Sequence, residues 1–162
     1  MRTLRTLAVI ATLSALGCGG GDDNPTGPPA GGATNGSLTA QIGGASFSAT
    51  GTITVNRQTN FIGLAAAGFA GGNAYSLVIG IGNATGPGTH NLSLTAGGDG
   101  SSLIVGTATT GYGTAFTGGS GSITITSLTA NRIVGTFSGT LPPSSGSAAA
   151  LVITNGSFDV TF

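Results

Sequence analysis

From Ser37 onward, apolar residues alternate with small or hydroxyl-bearing ones at a period of two, the period of a strand with one buried face. In S-L-T-A-Q-I-G-G-A-S-F-S-A-T, a two-residue turn at Gly43-Gly44 sets Ile42 opposite Ala45, Ala40 opposite Phe47 and Leu38 opposite Ala49, all on one face. The second arm runs on through G-T-I-T-V, with Phe47, Ala49, Ile53 and Val55 at one parity, until Asn56 to Asn60 turns the chain. Phe61 to Phe69 and Tyr75 to Ile81 read as the next two strands, joined by A-G-G-N. The stretch G-N-A-T-G-P-G-T is a loop by its Pro87 and glycines, and H-N-L-S-L after it puts His90, Leu92 and Leu94 on one side. A-G-G-D-G then turns the chain into a strand over Ser101 to Thr109, after which the alternation fades around Tyr112 and Phe116.

The last third carries the clearest pattern. S-G-S-I-T-I-T-S-L and R-I-V-G-T-F-S-G-T-L both alternate, and a three-residue loop Thr129-Ala130-Asn131 pairs Ile123 with Phe137, Ile125 with Gly135 and Ser127 with Ile133. Asn131 then takes the left-handed position, which asparagine tolerates better than most residues. In A-A-A-L-V-I-T-N-G-S-F-D-V-T-F, Leu151 and Ile153 share one parity while Phe158, Val160 and Phe162 share the other. One step must be absorbed at Asn155-Gly156, by a tight hairpin or by a bulge in a single long strand. The bulge is the better reading, because a hairpin would leave a last arm of only about six residues.

Composition agrees with the pattern. The 162-residue chain contains no lysine, glutamate or tryptophan, and its 32 glycines sit among threonine, serine, alanine and valine, which favours strands and turns over helices. The expected fold is all-β, a single domain over residues 37–162, arranged as an antiparallel β-sandwich or a flattened β-barrel built largely from consecutive hairpins. With 5% charged residues and a formal net charge of zero, no field exists to attract a phosphate backbone, so no nucleic-acid partner is expected.

The first residues follow a different rule. Arg2 and Arg5 precede an apolar run from Leu7 to Leu16, the length of a signal-peptide core and too short to span a bilayer. The run ends in A-L-G-C, Ala15 to Cys18, which resembles the lipobox of bacterial lipoproteins, although that family prefers leucine where Ala15 stands. The resemblance implies that residues 1–17 are a cleaved lipoprotein signal peptide and that Cys18 carries a thioether-linked diacylglycerol. Two or three acyl chains anchor stably where one does not. Residues 18–36, rich in glycine and proline, read as a lipidated flexible tether. The expected location is the cell envelope, lipid-anchored at the outer membrane on its periplasmic or cell-surface side. Asp22-Asp23 resembles the acidic tags of some surface-exported lipoproteins.

G-S-I-T-I-T-S-L, I-V-G-T-F-S-G-T-L and V-I-T-N-G-S-F-D-V, with G-P-G-T-H-N-L upstream, resemble a family of small bacterial lipoprotein domains of unknown function. The resemblance covers residues 37–162 and is specific from Ser120 onward. It implies a lipid-anchored all-β domain and no activity. Relatives of that kind carry lysine and glutamate on exposed faces, where threonine and serine stand here.

Candidate chemistry is thin. The ionisable side chains of the domain are His90, Asp99, Asp159, Arg57, Arg132, Tyr75 and Tyr112. One histidine and two distant aspartates offer little to a zinc site, and no G-x-S-x-G elbow accompanies them. Asp99-Gly100 reads as a turn, Asp159 as a solvated strand residue, and His90 as a packed or solvated histidine. No catalytic residue, metal or other cofactor is expected. Three functional classes remain: a structural or surface-interaction module for a protein or glycan partner, a β module binding a small ligand or glycan, and a small outer-membrane β-barrel. The terminal F-D-V-T-F prompts the third, and the scarcity of aromatic residues for two girdles opposes it.

Overall fold

A computed structural model describes residues 33–50, 52–92 and 99–162, with the side chains of 33 and 34 undescribed. It contains twelve strands and, among the described residues, no helix. They are β1 (Ala33–Thr34), β2 (Gly36–Ile42), β3 (Ala45–Ala49), β4 (Ile53–Gln58), β5 (Phe61–Ala70), β6 (Asn73–Gly82), β7 (Gly88–Leu92), β8 (Ser102–Gly106), β9 (Gly111–Gly113), β10 (Ser120–Leu128), β11 (Arg132–Leu141) and β12 (Leu151–Thr161). All belong to one curled antiparallel sheet in the order β7-β10-β11-β12-β2-β3-β5-β6-β8-β9, with β4 beside β5 and β1 beside β4. The sheet begins at Ala33, four positions ahead of the Ser37 boundary that the alternation marks.

Curling turns one face of the sheet inward. Leu38, Phe47, Ile62, Leu64, Leu77, Ile79, Leu103, Ile123, Phe137, Ile153 and Phe158 are among the buried side chains that meet there in one apolar cluster. The alternation therefore has a single cause, since the residues in between face outward. The Gly43-Gly44 turn forms with both glycines at positive φ, 57° and 83°, and pairs Ile42 with Ala45 and Ala40 with Phe47 as the pattern predicts. Glycine adopts two successive left-handed conformations without steric cost, and that twist matches the flanking strands.

Three local differences have physical reasons. The arm after Gly44 is two strands lying end to end along β5, since the five steps from Ala49 to Thr54 face the three from Gly68 to Ala65. The two extra residues preserve parity, so Phe47, Ile53 and Val55 all point inward, and the chain turns only at Thr59-Asn60, with Gln58 opposite Phe61. Between β10 and β11 the odd residue lies in the strand and not in the loop. The register shifts at Thr126, giving Ser127 opposite Val134 and Leu128 opposite Ile133. This bulge turns Leu128 towards the core, where a three-residue loop would have put Ser127, and the Thr126 hydroxyl donates to the Val134 carbonyl at 3.1 Å. Asn131 accordingly is not left-handed, since the described non-glycine residues with positive φ are Asn83 and Asn155.

At Asn155 the expected bulge is present. β12 is one strand, Asn155 has φ 51°, and the three steps from Ile153 to Gly156 face two from Gly139 to Phe137. The extra residue lets Ile153, Phe158 and Val160 all enter the core despite their opposite parities.

Hydrogen bonds also tie elements that are not neighbours in the strand order. β9 meets the segment after β11, with Gly113 N–H donating to the Pro142 carbonyl at 3.1 Å and Ser144 N–H to the Gly111 carbonyl at 2.7 Å. At another rim, Arg57 Nη1 donates to the Ala130 carbonyl at 2.5 Å, and its guanidinium lies 5.1 Å from the centre of the Phe162 ring.

Candidate functional site

The outward face is divided by composition. One register row runs through Thr89, Thr124, Thr136, Ser157, Thr39 and Ser48, a hydroxyl from each of six adjacent strands. Two neighbouring pairs in it are hydrogen-bonded, Thr89 to Thr124 at 3.0 Å and Thr39 to Ser157 at 2.9 Å. A second row holds Asn91, Ser122 and Ser138, and beyond the β12 bulge Thr154, Gln41 and Ser46. Cross-strand hydroxyl pairs of this kind stabilise the sheet modestly and leave a neutral polar surface.

The bulge interrupts these rows. Around it lies an open depression of about 410 Å³, lined by Ser122, Thr136, Ser138, Asn155 and Ser157 with Phe137 and Gly156 at its base. Asn155 holds its left-handed backbone there because the mismatch of parities requires an extra residue, and that backbone redirects its side chain relative to the strand. The arrangement offers hydroxyl and amide groups over an apolar floor, a surface suited to hydrogen-bonding a neutral polar molecule.

His90, Asp99 and Ser101 converge at the seam where β7 approaches the start of β8. His90 is 8% exposed, and its Nδ1 lies 2.5 Å from Asp99 Oδ2. Ser101 N–H donates to Asp99 Oδ1 at 3.0 Å, while the buried Ser101 Oγ accepts from Gly82 N–H at 3.0 Å. Partial burial pushes the Asp99 carboxyl up, but hydrogen bonds from the Ser101 hydroxyl, from His90 and from the Ser101 N–H together hold it below its usual value of 3.8. The carboxylate thus stands between serine and imidazole. In this order the imidazole faces the carboxylate and not the serine, and the bonds link β7, the end of β6 and the approach to β8.

The other ionisable residues are dispersed. Arg132 and Asp159 form an exposed two-bond pair on the outer face, with Nε to Oδ1 at 2.8 Å and Nη2 to Oδ2 at 2.6 Å. The hydrogen bonds and charge of Arg132 hold Asp159 below its ordinary value, and Asp159 raises Arg132 in turn. Tyr75 and Tyr112 are half-buried against the core, and Arg57 sits at the rim already described. Among the described residues no three of His, Cys, Asp and Glu gather as a metal would need. Cys18, like Leu94, lies outside the described residues. Comparison with protein-family models, curated proteins and solved structures finds no match to this chain.

Two features of this face and seam depend on strands brought together by the fold. The His90–Asp99 pair joins residues nine positions apart, and neither side chain signals the other until β7 lies beside the approach to β8. The depression depends on the bulge, whose position was readable from the parity change but whose hydroxyl lining needs the neighbouring strands in register.

Proposed function

We propose that this protein is a lipid-anchored lipoprotein of the bacterial cell envelope, acylated at Cys18 and held at the outer membrane. Its β domain is a structural or surface-interaction module, without a catalytic role, that presents a neutral hydroxyl-rich face to a protein or glycan partner. The observation that carries the interaction reading is the row of six hydroxyls from Thr89 to Ser48, since a row of uncharged hydroxyls recognises by hydrogen bonds and shape. The anchor rests on the signal-like run and the A-L-G-C motif. Resemblance of the last strands to small lipoprotein domains of unknown function points the same way.

A second reading has its own support. The depression around Asn155 fits a glycan or other small polar ligand better than an apolar one, because five of its seven lining residues are polar. An outer-membrane barrel is the least supported, since the inward side chains here are apolar and six strands carry hydroxyls where lipid would lie.

Labelling with a radioactive fatty acid tests the anchor. Cys18→Ser is expected to accumulate as an uncut, unlabelled precursor while the native protein takes up label. Equal labelling of the two would end the lipoprotein reading.

A further inference from the structure

The hydroxyl row ends abruptly at Ser48. Its next members, Phe69 on β5 and Ala74 on β6, are apolar. From there the outer face of β5, β6 and β8 presents Phe61, Ala65, Ala67, Phe69, Val78 and Ile104, between glycines and two serines, Ser76 and Ser102. Phe69 is 58% exposed, and Val78 and Ile104 are both 38% exposed. No charged residue stands on this face among the described residues of β4, β5, β6 and β8. Singly exposed apolar residues need no explanation, but a contiguous uncharged apolar face is a sign of an interaction surface.

The register says where this face lies relative to the start of the sheet. Ala33 pairs with Thr54, Thr54 with Ala65, Ala65 with Val78 and Val78 with Ile104. The chain therefore enters the sheet at the head of the same row that carries the apolar side chains. Fourteen residues, 19–32, separate Ala33 from Cys18. A chain of that length reaches at most about 50 Å even when fully extended. Any bilayer holding an acylated Cys18 is thereby kept at high effective concentration near this face.

We infer that the outer face of β5, β6 and β8, centred on Phe69, Val78 and Ile104, rests on the surface of the lipid bilayer to which the protein is anchored. This rests on the proposed acylation of Cys18. The contact is peripheral, with the apolar side chains in the interfacial region and the hydroxyl rows turned away towards a partner. Because the face has no charge, attachment does not depend on anionic headgroups and is not weakened by salt.

The test uses the full-length acylated protein in vesicles of phosphatidylethanolamine and phosphatidylglycerol. Acylation occupies the chain's one native thiol, so a cysteine introduced by Val78→Cys, Ile104→Cys or, on the hydroxyl face, Thr136→Cys accepts an environment-sensitive dye alone. The expected result is a blue-shifted emission from positions 78 and 104, quenched by spin-labelled lipid and unchanged by added salt, with neither effect at 136. Equal, water-like emission at all three positions in protein that still floats with the vesicles would overturn the docking and leave the anchor standing. Blue-shifted emission that disappears on diluting the protein among vesicles, without lipid quenching, would also overturn it, in favour of pairing between copies. Protein that fails to float, and whose Cys18 itself takes the dye, would remove the anchor and the docking together.

Discussion

Replacing Phe137 by alanine probes the part of the core where the β12 bulge and the packing depend on each other. Phe137 is 3% exposed, and its ring stacks on Phe158 with centroids 6.3 Å apart and planes 24° apart. Its register partners are Ile123 on β10 and Gly156 on β12. Gly156 lies under the ring so closely that a Cβ there would stand 2.6 Å from two ring carbons. Glycine has no side chain to move into the space that alanine would leave, and Ile123 is fixed between two paired strands. The site therefore collapses poorly, which puts the loss in the middle or upper part of the range for Phe→Ala, about 4 kcal/mol. For a domain of this size that corresponds to a fall in melting temperature of about 15 °C. Urea unfolding followed by far-ultraviolet circular dichroism measures it, with an unchanged slope as the sign that only stability has moved. Phe137→Leu, which keeps most of the volume, should cost less than about 1.5 kcal/mol. A loss under about 1 kcal/mol for the alanine variant would mean that Phe137 does not face the core.

Two further substitutions test local features. Asp99 has a depressed pKa in the folded protein, so its ionised form contributes stability that is fully present above the unfolded value near 3.8 and is lost as pH falls through the folded value. Asp99→Asn should lower stability at pH 7 and flatten the decline below about pH 4, as read by thermal melts across pH; an acid decline identical to that of the native protein would contradict the pairing with His90 and Ser101. At the bulge, Asn155→Gly should be neutral or stabilising and Asn155→Val should cost about 1–2 kcal/mol by the same urea assay, because a β-branched residue resists the left-handed backbone; equal stability of the two variants would contradict the bulge.

The sequence showed those features that depend on parity along one strand. The Gly43-Gly44 hairpin and the bulge at Asn155 both follow from which apolar residues must share a face, and burial on one side leaves little choice of register. Parity alone could not say whether the odd residue between Ile125 and Ile133 belonged to the loop or to the strand. The outcome was decided by Leu128, which the bulge at Thr126 brings to the core. Features that depend on strands distant in sequence were not legible. His90 and Asp99 each look unremarkable until β7 is brought beside the approach to β8. Parity along β12 puts Asp159 on the outer face, but its ion pair requires Arg132 on the adjacent strand two positions out of register. The change from hydroxyl to apolar residues across the outer face also emerges only in the strand order, because β3 and β5, which meet at Ser48 and Phe69, are joined through β4.

The alternation runs in one direction, with apolar side chains packed inward and hydroxyls facing outward over most of the exterior. Residues 33–162, expressed without the first 32, decide this in a single preparation. The fragment should be soluble without detergent, give a β-type circular dichroism spectrum and unfold in one cooperative transition. A fragment that precipitates in buffer and acquires β structure only in micelles or bilayers would contradict it, since the apolar residues would then face lipid.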